Sequence, residues 1–360
     1  MKITFYIYDM AGGGAERVFL NLIHFCVKKG FSVELILNRQ KGPNLQYLHD
    51  EVSVKIINST SVYRSVIFLS DYLRRSKPDV VFSTLSICNF ILILSGILSF
   101  SRVKIIIREA NSFLSQRKKW PLIKRIRDRS AAILLYRFTD KIVVNSEGSK
   151  NELIKAALID SQCIDILPNP VDFSMIKEKS KEPLPAAISI FLQNSDYFVS
   201  AGRLERAKGF DILIKSYGKA DTEKKLVIIG EGSQRKKLEL LINELNLSKK
   251  VLLAGYAANP YSIIQNSDVF VLSSRFEGMP NVLIEALVLD KPIISTDCKS
   301  GPREILAADN LGILVPVEDI ESLTKALEAP PLSPDKQAVN HYLQKFDKEK
   351  VGQKFIGLVS

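Results

Sequence analysis

Two doubly wound α/β domains, each a parallel sheet with helices on both faces, are what this sequence predicts, and three observations carry the prediction. The 360 residues exceed what one core of ordinary size organises and suit two domains. Short β-rich runs alternate with stretches long enough for helices, the pattern of parallel sheets buried on both sides. That alternation restarts after a junction stiffened by two prolines, Pro168-Asn169-Pro170-Val171-Asp172. The expected division is residues 1–170, residues 171–340 and a terminal segment, 341–360. The expected architecture is two Rossmann-like domains whose sheets face each other across a cleft.

The elements follow in order. Residues 2–8 form an apolar strand that opens the chain with no basic n-region or small-residue cleavage site, so no secretory signal is expected. Glycines 12–14 lead into a helix over 15–29. Strands are expected at 32–37, 52–57, 79–83, 103–107, 141–145 and 163–167, with a helix at 63–76. The run 80–100 is apolar enough to raise a membrane span, but Ser83, Thr84, Ser86, Asn89, Ser95 and Ser99 interrupt it. A buried strand followed by a buried helix at 87–100 is the expectation. In the second half, strands are expected at 196–201, 225–229, 250–254, 268–272, 292–295 and 312–315, with helices at 210–219, 233–245, 280–289 and 320–327. Pro280 suits the first turn of its helix, where a missing N–H costs nothing, and Lys291-Pro292 ends it. After the proline-rich stretch 329–334, one last helix at 341–358 has no strand partner and is expected to pack back on the first domain.

The composition, 46% hydrophobic and 25% charged, is that of a globular protein. The net charge of +11 is uneven: residues 1–170 hold 25 Lys+Arg against 14 Asp+Glu, and residues 171–360 hold 25 of each. Arg117, Lys118, Lys119, Lys124, Arg125, Arg127 and Arg129 alternate with Trp120, Leu122, Ile123 and Ile126. Such a mixture suits an anionic bilayer surface, and a solvated helix face remains the competing reading. No zinc spacing, RNA-binding aromatic signature or basic zipper accompanies the charge, so nucleic acid is not expected as a partner. Cys26, Cys88, Cys163 and Cys298 are scattered without a C-x-x-C pair, as in a reduced cytosolic protein.

The most informative stretch is Ser274-Arg275-Phe276-Glu277-Gly278-Met279-Pro280-Asn281-Val282, which runs into a helix bearing Glu285. Two carboxylates flanking one glycosidic bond stand about 5 to 9 Å apart. Eight positions at ~1.5 Å per residue span roughly 12 Å, which suits opposite ends of a longer ligand. The helix start between them offers N–H groups and positive dipole to a diphosphate. Gly202-Arg203-Leu204-Glu205-Arg206-Ala207-Lys208-Gly209 follows the first strand of the second domain. Arg203 supplies a planar fork of donors and Lys208 a compact cation, a pair suited to a departing diphosphate. Gly12-Gly13-Gly14 and Gly230-Glu231-Gly232 open helices after strands and allow close ligand approach, although a plain tight turn explains either alone. Arg17 and Arg235 stand where a dinucleotide fingerprint needs a third glycine, which disfavours NAD.

These motifs resemble the bacterial family-four retaining glycosyltransferases of the GT-B fold over nearly the whole chain. The resemblance rests on Gly13-Gly14-Ala15-Glu16-Arg17, Asn169-Pro170-Val171-Asp172, Gly202-Arg203 with Lys208-Gly209, Gly230-Glu231-Gly232, Glu277 with Glu285, and Gly301-Pro302-Arg303-Glu304-Ile305 with Gly312. It implies that Arg203 and Lys208 hold the donor's diphosphate, Glu285 accepts from the ribose hydroxyls and Glu277 contacts the donor sugar. Gly13 and Gly14 would lie beside the donor phosphates and the acceptor. Gly232 and Tyr256 would line the base pocket, backbone N–H groups of the stretch Met279 to Val282 would cap the phosphate, and Gly278, Met279, Pro280, Asn281 and Val282 would belong to the donor-binding set. The chain departs from many relatives in lacking a first-domain histidine beside the reacting sugar. His24, His49 and His341 are its only histidines, and His24 falls inside a helix. Arg108-Glu109-Ala110-Asn111 occupies the corresponding region, making Glu109 the candidate for positioning or deprotonating the acceptor, or for pairing with Arg108 or Arg17.

The expectation is therefore a retaining transferase moving a hexose or N-acetylhexosamine from a nucleotide-diphosphate sugar, UDP-linked by resemblance, to a polyprenyl-diphosphate-linked saccharide of bacterial surface polysaccharide. No Asp-x-Asp occurs, so neither metal nor resident cofactor is demanded. Localisation would be cytoplasmic, at the inner membrane face. A nucleotide-sugar epimerase and a catalytically silent sugar-binding subunit are the rival readings.

Overall fold

A computed structural model describes residues 1–11, 13–110, 113, 121–298, 300–307 and 310–360. Gly12, Asn111, Arg117, Lys118, Lys119 and Trp120 lie outside the described residues. The chain divides into two compact units, Met1–Val171 with Lys345–Ser360, and Asp172–Gln344.

The first unit is built on strands β1 (Lys2–Ile7), β2 (Ser32–Leu37), β3 (Ser53–Ile56), β4 (Val80–Thr84), β5 (Lys104–Glu109), β6 (Lys141–Val144) and β7 (Ile164–Ile166). They pair in parallel in the order β3-β2-β1-β4-β5-β6-β7. Helices α1 (Gly14–Lys28), α2 (Val62–Ser76), α3 (Ser86–Ser99), α4 (Leu122–Leu135) and α5 (Glu147–Ala157) connect them. Strand side chains alternate between faces, so Ile3, Phe5 and Ile7 enter one core with Phe82, Ile106 and residues of α1. Tyr6, Val81, Ile105 and Ile107 enter the other with residues of α2 to α5. The expected strand and helix in 80–100 appear as β4 and α3, and among the described residues no helix is long and apolar enough to cross a membrane.

The second unit holds β8 (Tyr197–Ala201), β9 (Lys225–Ile229), β10 (Val251–Gly255), β11 (Val269–Leu272), β12 (Ile293–Thr296) and β13 (Ile313–Val315), in the order β10-β9-β8-β11-β12-β13 and all parallel. Its helices are α6 (Phe173–Lys179), α7 (Ala186–Leu192), α8 (Phe210–Lys219), α9 (Arg235–Glu244), α10 (Tyr261–Gln265), α11 (Asn281–Val288), α12 (Pro302–Leu306), α13 (Ile320–Glu328) and α14 (Lys336–Leu343). Phe198, Leu213, Ile228, Val271 and Leu323 centre its core.

Two expectations are corrected here. The last helix is not continuous over 341–358: α14 ends at Leu343, a 3-10 turn spans Gln344–Phe346, and α15 (Lys348–Val359) starts afresh. The Asp347 carboxylate accepts from Glu349 N and Lys350 N and caps the new start. The unit boundary therefore falls at Gln344/Lys345 rather than at 340/341. Residues of α15 join the α1-side core, where Phe355 lies 5.9 Å from Phe5 and 5.0 Å from Phe82, centroid to centroid. The second correction concerns Pro280, which stands as the N-cap of α11 with ψ 102, one position before the first turn.

Candidate active site

In the second unit the strand order reverses between β8 and β11, so the loops leaving their carboxyl ends diverge and open a crevice, the usual ligand position in such sheets. One loop carries Gly202 to Gly209 and the other Ser273 to Pro280. Short contacts lock them together. Arg275 N donates to Ala207 O at 2.8 Å and Ser273 Oγ to Lys208 O at 2.9 Å. Gly209 has φ +64, and a Cβ there would lie 2.0 Å from Ser273 O, so only glycine fits.

Across this seam Lys208 Nζ stands 2.6 Å from Glu277 Oε1, which also accepts from Ser274 Oγ at 2.5 Å. The side chains are 22% and 10% exposed, so the pair is mostly shielded from water yet open on one side. Ser300 Oγ donates to the Glu277 carbonyl at 2.8 Å. The Arg203 side chain is exposed and makes no hydrogen bond or ion pair among the described residues. Glu205 accepts from Ser233 N and Oγ at 3.1 and 2.8 Å. The backbone donor first and the hydroxyl second hold its carboxyl below the usual range.

The loop after β9 lies on the same edge. Gly202 N donates to Ile229 O at 2.9 Å and Leu204 N to Glu231 O at 2.8 Å. A Cβ at Gly230, where φ is +140, would meet Gly202 O at 1.9 Å, and one at Gly232 would meet Leu204 O at 2.5 Å. The glycines therefore serve backbone-to-backbone approach of two loops. Tyr256, just after β10, is 59% exposed. On α11, which has no side-chain cap, Glu285 is buried and accepts from Tyr261 Oη at 3.5 Å. Gly278 is buried, while Met279, Asn281 and Val282 are partly buried. The structure thus gathers Arg203, Lys208, Gly232, Glu277 and the start of α11 at the carboxyl edge of one sheet.

Gly13, Gly14 and Glu109 belong to the first unit. Gly13 is the N-cap of α1 in ordinary extended conformation, φ −85, without a side-chain cap. Glu109 ends β5 and is buried. Its carboxylate accepts from Ser86 Oγ at 3.1 Å, Asn89 Nδ2 at 3.2 Å and Tyr136 Oη. Arg108 does not pair with it, because adjacent strand residues point to opposite faces. The Arg108 guanidinium donates to Asn169 Oδ1 at 2.5 Å instead, and burial lowers its pKa to about 10 against the opposing pull of Glu109.

His24 Nε2 meets Tyr47 O at 2.7 Å, and burial lowers its pKa, as suits a packed helix residue.

Sequence reasoning missed several contributors. Ser86 and Asn89 were visible as polar breaks in an apolar run, and that run places them on Glu109. Tyr136 and Tyr261 gave no signal. Arg275 is the other omission: it grips Asp211 with two bonds of 2.7 and 2.8 Å and reaches Glu318 Oε1 at 2.6 Å. Burial would raise the Asp211 carboxyl, but the hydrogen bonds and charge of Arg275 outweigh it and hold it below its usual value, and the Arg275 contacts fix the loop that presents Glu277.

Comparison with known proteins adds family and fold. The model described as Glycosyltransferase Family 4 matches residues 12–174, and the one described as Glycosyl transferases group 1 matches residues 187–338. The N-acetylgalactosamine-N,N'-diacetylbacillosaminyl-diphospho-undecaprenol 4-alpha-N-acetylgalactosaminyltransferase of Campylobacter jejuni is 32% identical, over 91% of this chain and 89% of its own length. The UDP-Gal:alpha-D-GlcNAc-diphosphoundecaprenol alpha-1,3-galactosyltransferase of Escherichia coli is 26% identical, over 87% of this chain and 84% of its own. Among solved structures, HepE of Anabaena in complex with UDP and glucose superposes with a TM-score of 0.82 at 17% identity, covering 100% of this chain and 99% of that one. That likeness gives the fold, GT-B.

Proposed function

Because the chain belongs to glycosyltransferase family 4, with the group 1 glycosyl transferase module in its second half, we propose that it moves a hexose or N-acetylhexosamine from a nucleotide-diphosphate sugar to a polyprenyl-diphosphate-linked glycan, with retention and without a metal. The observation that carries the reading is the Lys208–Glu277 pair, 2.6 Å long, at the strand-order reversal of the second unit. In the free protein the ammonium and carboxylate neutralise each other. A diphosphate entering beside Lys208 shares that ammonium, with Arg203 as a second, uncommitted cation, and leaves Glu277 oriented by Ser274 to receive sugar hydroxyls. As the bond from the anomeric carbon to the diphosphate oxygen breaks, negative charge grows where the two cations stand. The acceptor hydroxyl oxygen forms the new bond on the same face, and its proton passes to the departing phosphate oxygen. Glu109, its carboxylate fixed by Ser86, Asn89 and Tyr136, is the first-unit residue assigned to positioning the acceptor.

The lipid-linked acceptor is supported by the undecaprenol-diphosphate substrates named for the Campylobacter jejuni and Escherichia coli relatives, and the UDP-linked donor by the latter's name. The alpha linkages in both names agree with retention of an alpha-linked donor. Docking at an anionic inner membrane face is supported by α4, where Leu122, Ile123 and Ile126 are 65, 83 and 55% exposed among exposed Lys124, Arg125 and Arg127.

Turnover measured with a panel of nucleotide sugars and a polyprenyl-diphosphate saccharide tests the proposal. Arg203→Ala and Lys208→Ala should each lower kcat by about 10²- to 10³-fold with unchanged circular dichroism, and a chelator should leave turnover intact. Undiminished turnover in both variants would overturn the diphosphate assignment, and loss of activity on chelation would overturn metal independence.

A further inference from the structure

The end of β12 makes contacts that the transfer reaction as described does not use. Main-chain pairing between β11 and β12 stops at Leu272 and Ser295. Past that point, among the described residues, side chains rather than ladder N–H groups reach the Ser274 carbonyl. Thr296 Oγ1 donates to it at 2.5 Å and Cys298 Sγ at 3.2 Å. Cys298 N donates to Thr296 O at 2.9 Å, a three-residue turn that brings both side chains to one oxygen. Asp297, between them, is tied to Arg303 by two bonds. Ser274, Thr296 and Cys298 are all buried. Burial, with Glu277 adding to it, pushes the Cys298 thiol up to about 12, so it stays protonated and able to donate.

These contacts bear on the transfer through one hydroxyl. Ser274 Oγ donates to Glu277 Oε1 at 2.5 Å, and Lys208 Nζ stands 2.6 Å from the same atom. Both lone-pair positions of Oε1 are thereby engaged, while Oε2 makes no hydrogen bond or ion pair among the described residues. A carboxylate anchored at one oxygen presents the other in a defined direction. If Ser274 shifted, that direction would change, and a misplacement of about 1 Å costs about 10²-fold in rate. Two buried donors on the Ser274 carbonyl oppose the shift, because moving it would leave buried polar groups unpaired.

We infer that Thr296 and Cys298 are positioning residues for the transfer: through the Ser274 carbonyl they fix the hydroxyl that anchors Glu277 Oε1, leaving Oε2 as the atom that meets the donor sugar. This rests on the transferase reading and adds to it two residues that touch no substrate and act through Glu277.

Transfer kinetics and thermal melting of the full chain test the inference. Thr296→Val with Cys298→Ala removes both donors and should lower kcat by about 10²-fold. The rise in melting temperature that UDP induces should stay as in the parent, because Arg203 and Lys208 are untouched. Thr296→Ser with Cys298→Ser keeps a hydroxyl donor at each position and should remain within about threefold of the parent kcat. In a Glu277→Ala background, Thr296→Val with Cys298→Ala should cost nothing further, since residues that act only through Glu277 lose their effect with it. Should that double variant fold poorly, the near-isosteric Thr296→Val alone carries the same comparisons, with a loss of about 10-fold. Parent-like turnover without the two donors overturns the inference. So does a UDP response lost together with turnover, and so does the same fold-loss over an impaired Glu277→Ala. Each of these three leaves the transferase reading standing. If Glu277→Ala itself turns over like the parent, the assignment of Glu277 falls, and this inference falls with it.

Discussion

Tyr136, 1% exposed, donates a hydrogen bond from its hydroxyl to the buried carboxylate of Glu109, and replacing it removes one of the donors that hold that carboxylate. Tyr136→Phe should destabilise the protein by about 1–3 kcal/mol, read from urea unfolding, and lower turnover through a misplaced Glu109. Glu34 makes a second residue-scale prediction. Burial would raise its carboxyl pKa, but hydrogen bonds from Tyr72 and Lys2 and the charges of Lys2 and Lys55 outweigh it and hold it below the usual value. A carboxyl depressed on folding contributes stability that is complete above its unfolded pKa, about 4.3, and is lost as pH falls through the folded value. Glu34→Gln should accordingly flatten the acid limb of the stability profile; a limb of unchanged steepness would refute the assignment.

The two glycines of α15 should respond oppositely to the same substitution. A Cβ on Gly352 would fall 2.4 Å from the Phe25 ring, whereas one on Gly357 would meet nothing within 4 Å. Alanine gains about 1 kcal/mol over glycine in helix propensity. Gly357→Ala should therefore stabilise, while Gly352→Ala should lose about 1–3 kcal/mol to overpacking, as measured by chemical denaturation. At α4 the exposed apolar and basic side chains act together. Ile123→Asp with Ile126→Asp should release the protein from anionic vesicles in a sedimentation assay, and raised salt should do the same to the parent by screening the cations. Binding indifferent to both would leave α4 a solvated face.

For the molecule as a whole, α15 completes the core of the first unit although it follows the second in sequence. Ending the chain after Gln344 would strip Val351, Phe355 and Val359 from the core that holds Phe5 and Phe82, a loss of several kcal/mol when each buried Phe is worth about 3–5. Proteolysis should then attack the first unit while the second persists; equal resistance of both units would refute the dependence. Much of this architecture was legible in sequence because parallel strands buried on both faces are near-continuous apolar runs, and the β1, β2, β8 and β9 segments stand close to where patterning puts them. The break at Gln344–Phe346 was not legible, since a helical pattern crosses it and only the Asp347 cap marks the restart.

The sequence by itself determined two α/β units and the glycine and charged loops at their strand ends, because apolar periodicity and the stereochemistry of glycine act locally. It also presented Lys208 and Glu277 as separate motifs 69 positions apart. Only the tertiary structure decided that those two pair, that Tyr136, Asn89 and Ser86 converge on Glu109, and that Arg108 turns away from its neighbour to reach Asn169. Each of those outcomes depends on strand register and on which face a side chain takes, and register is set by the packing of the whole sheet.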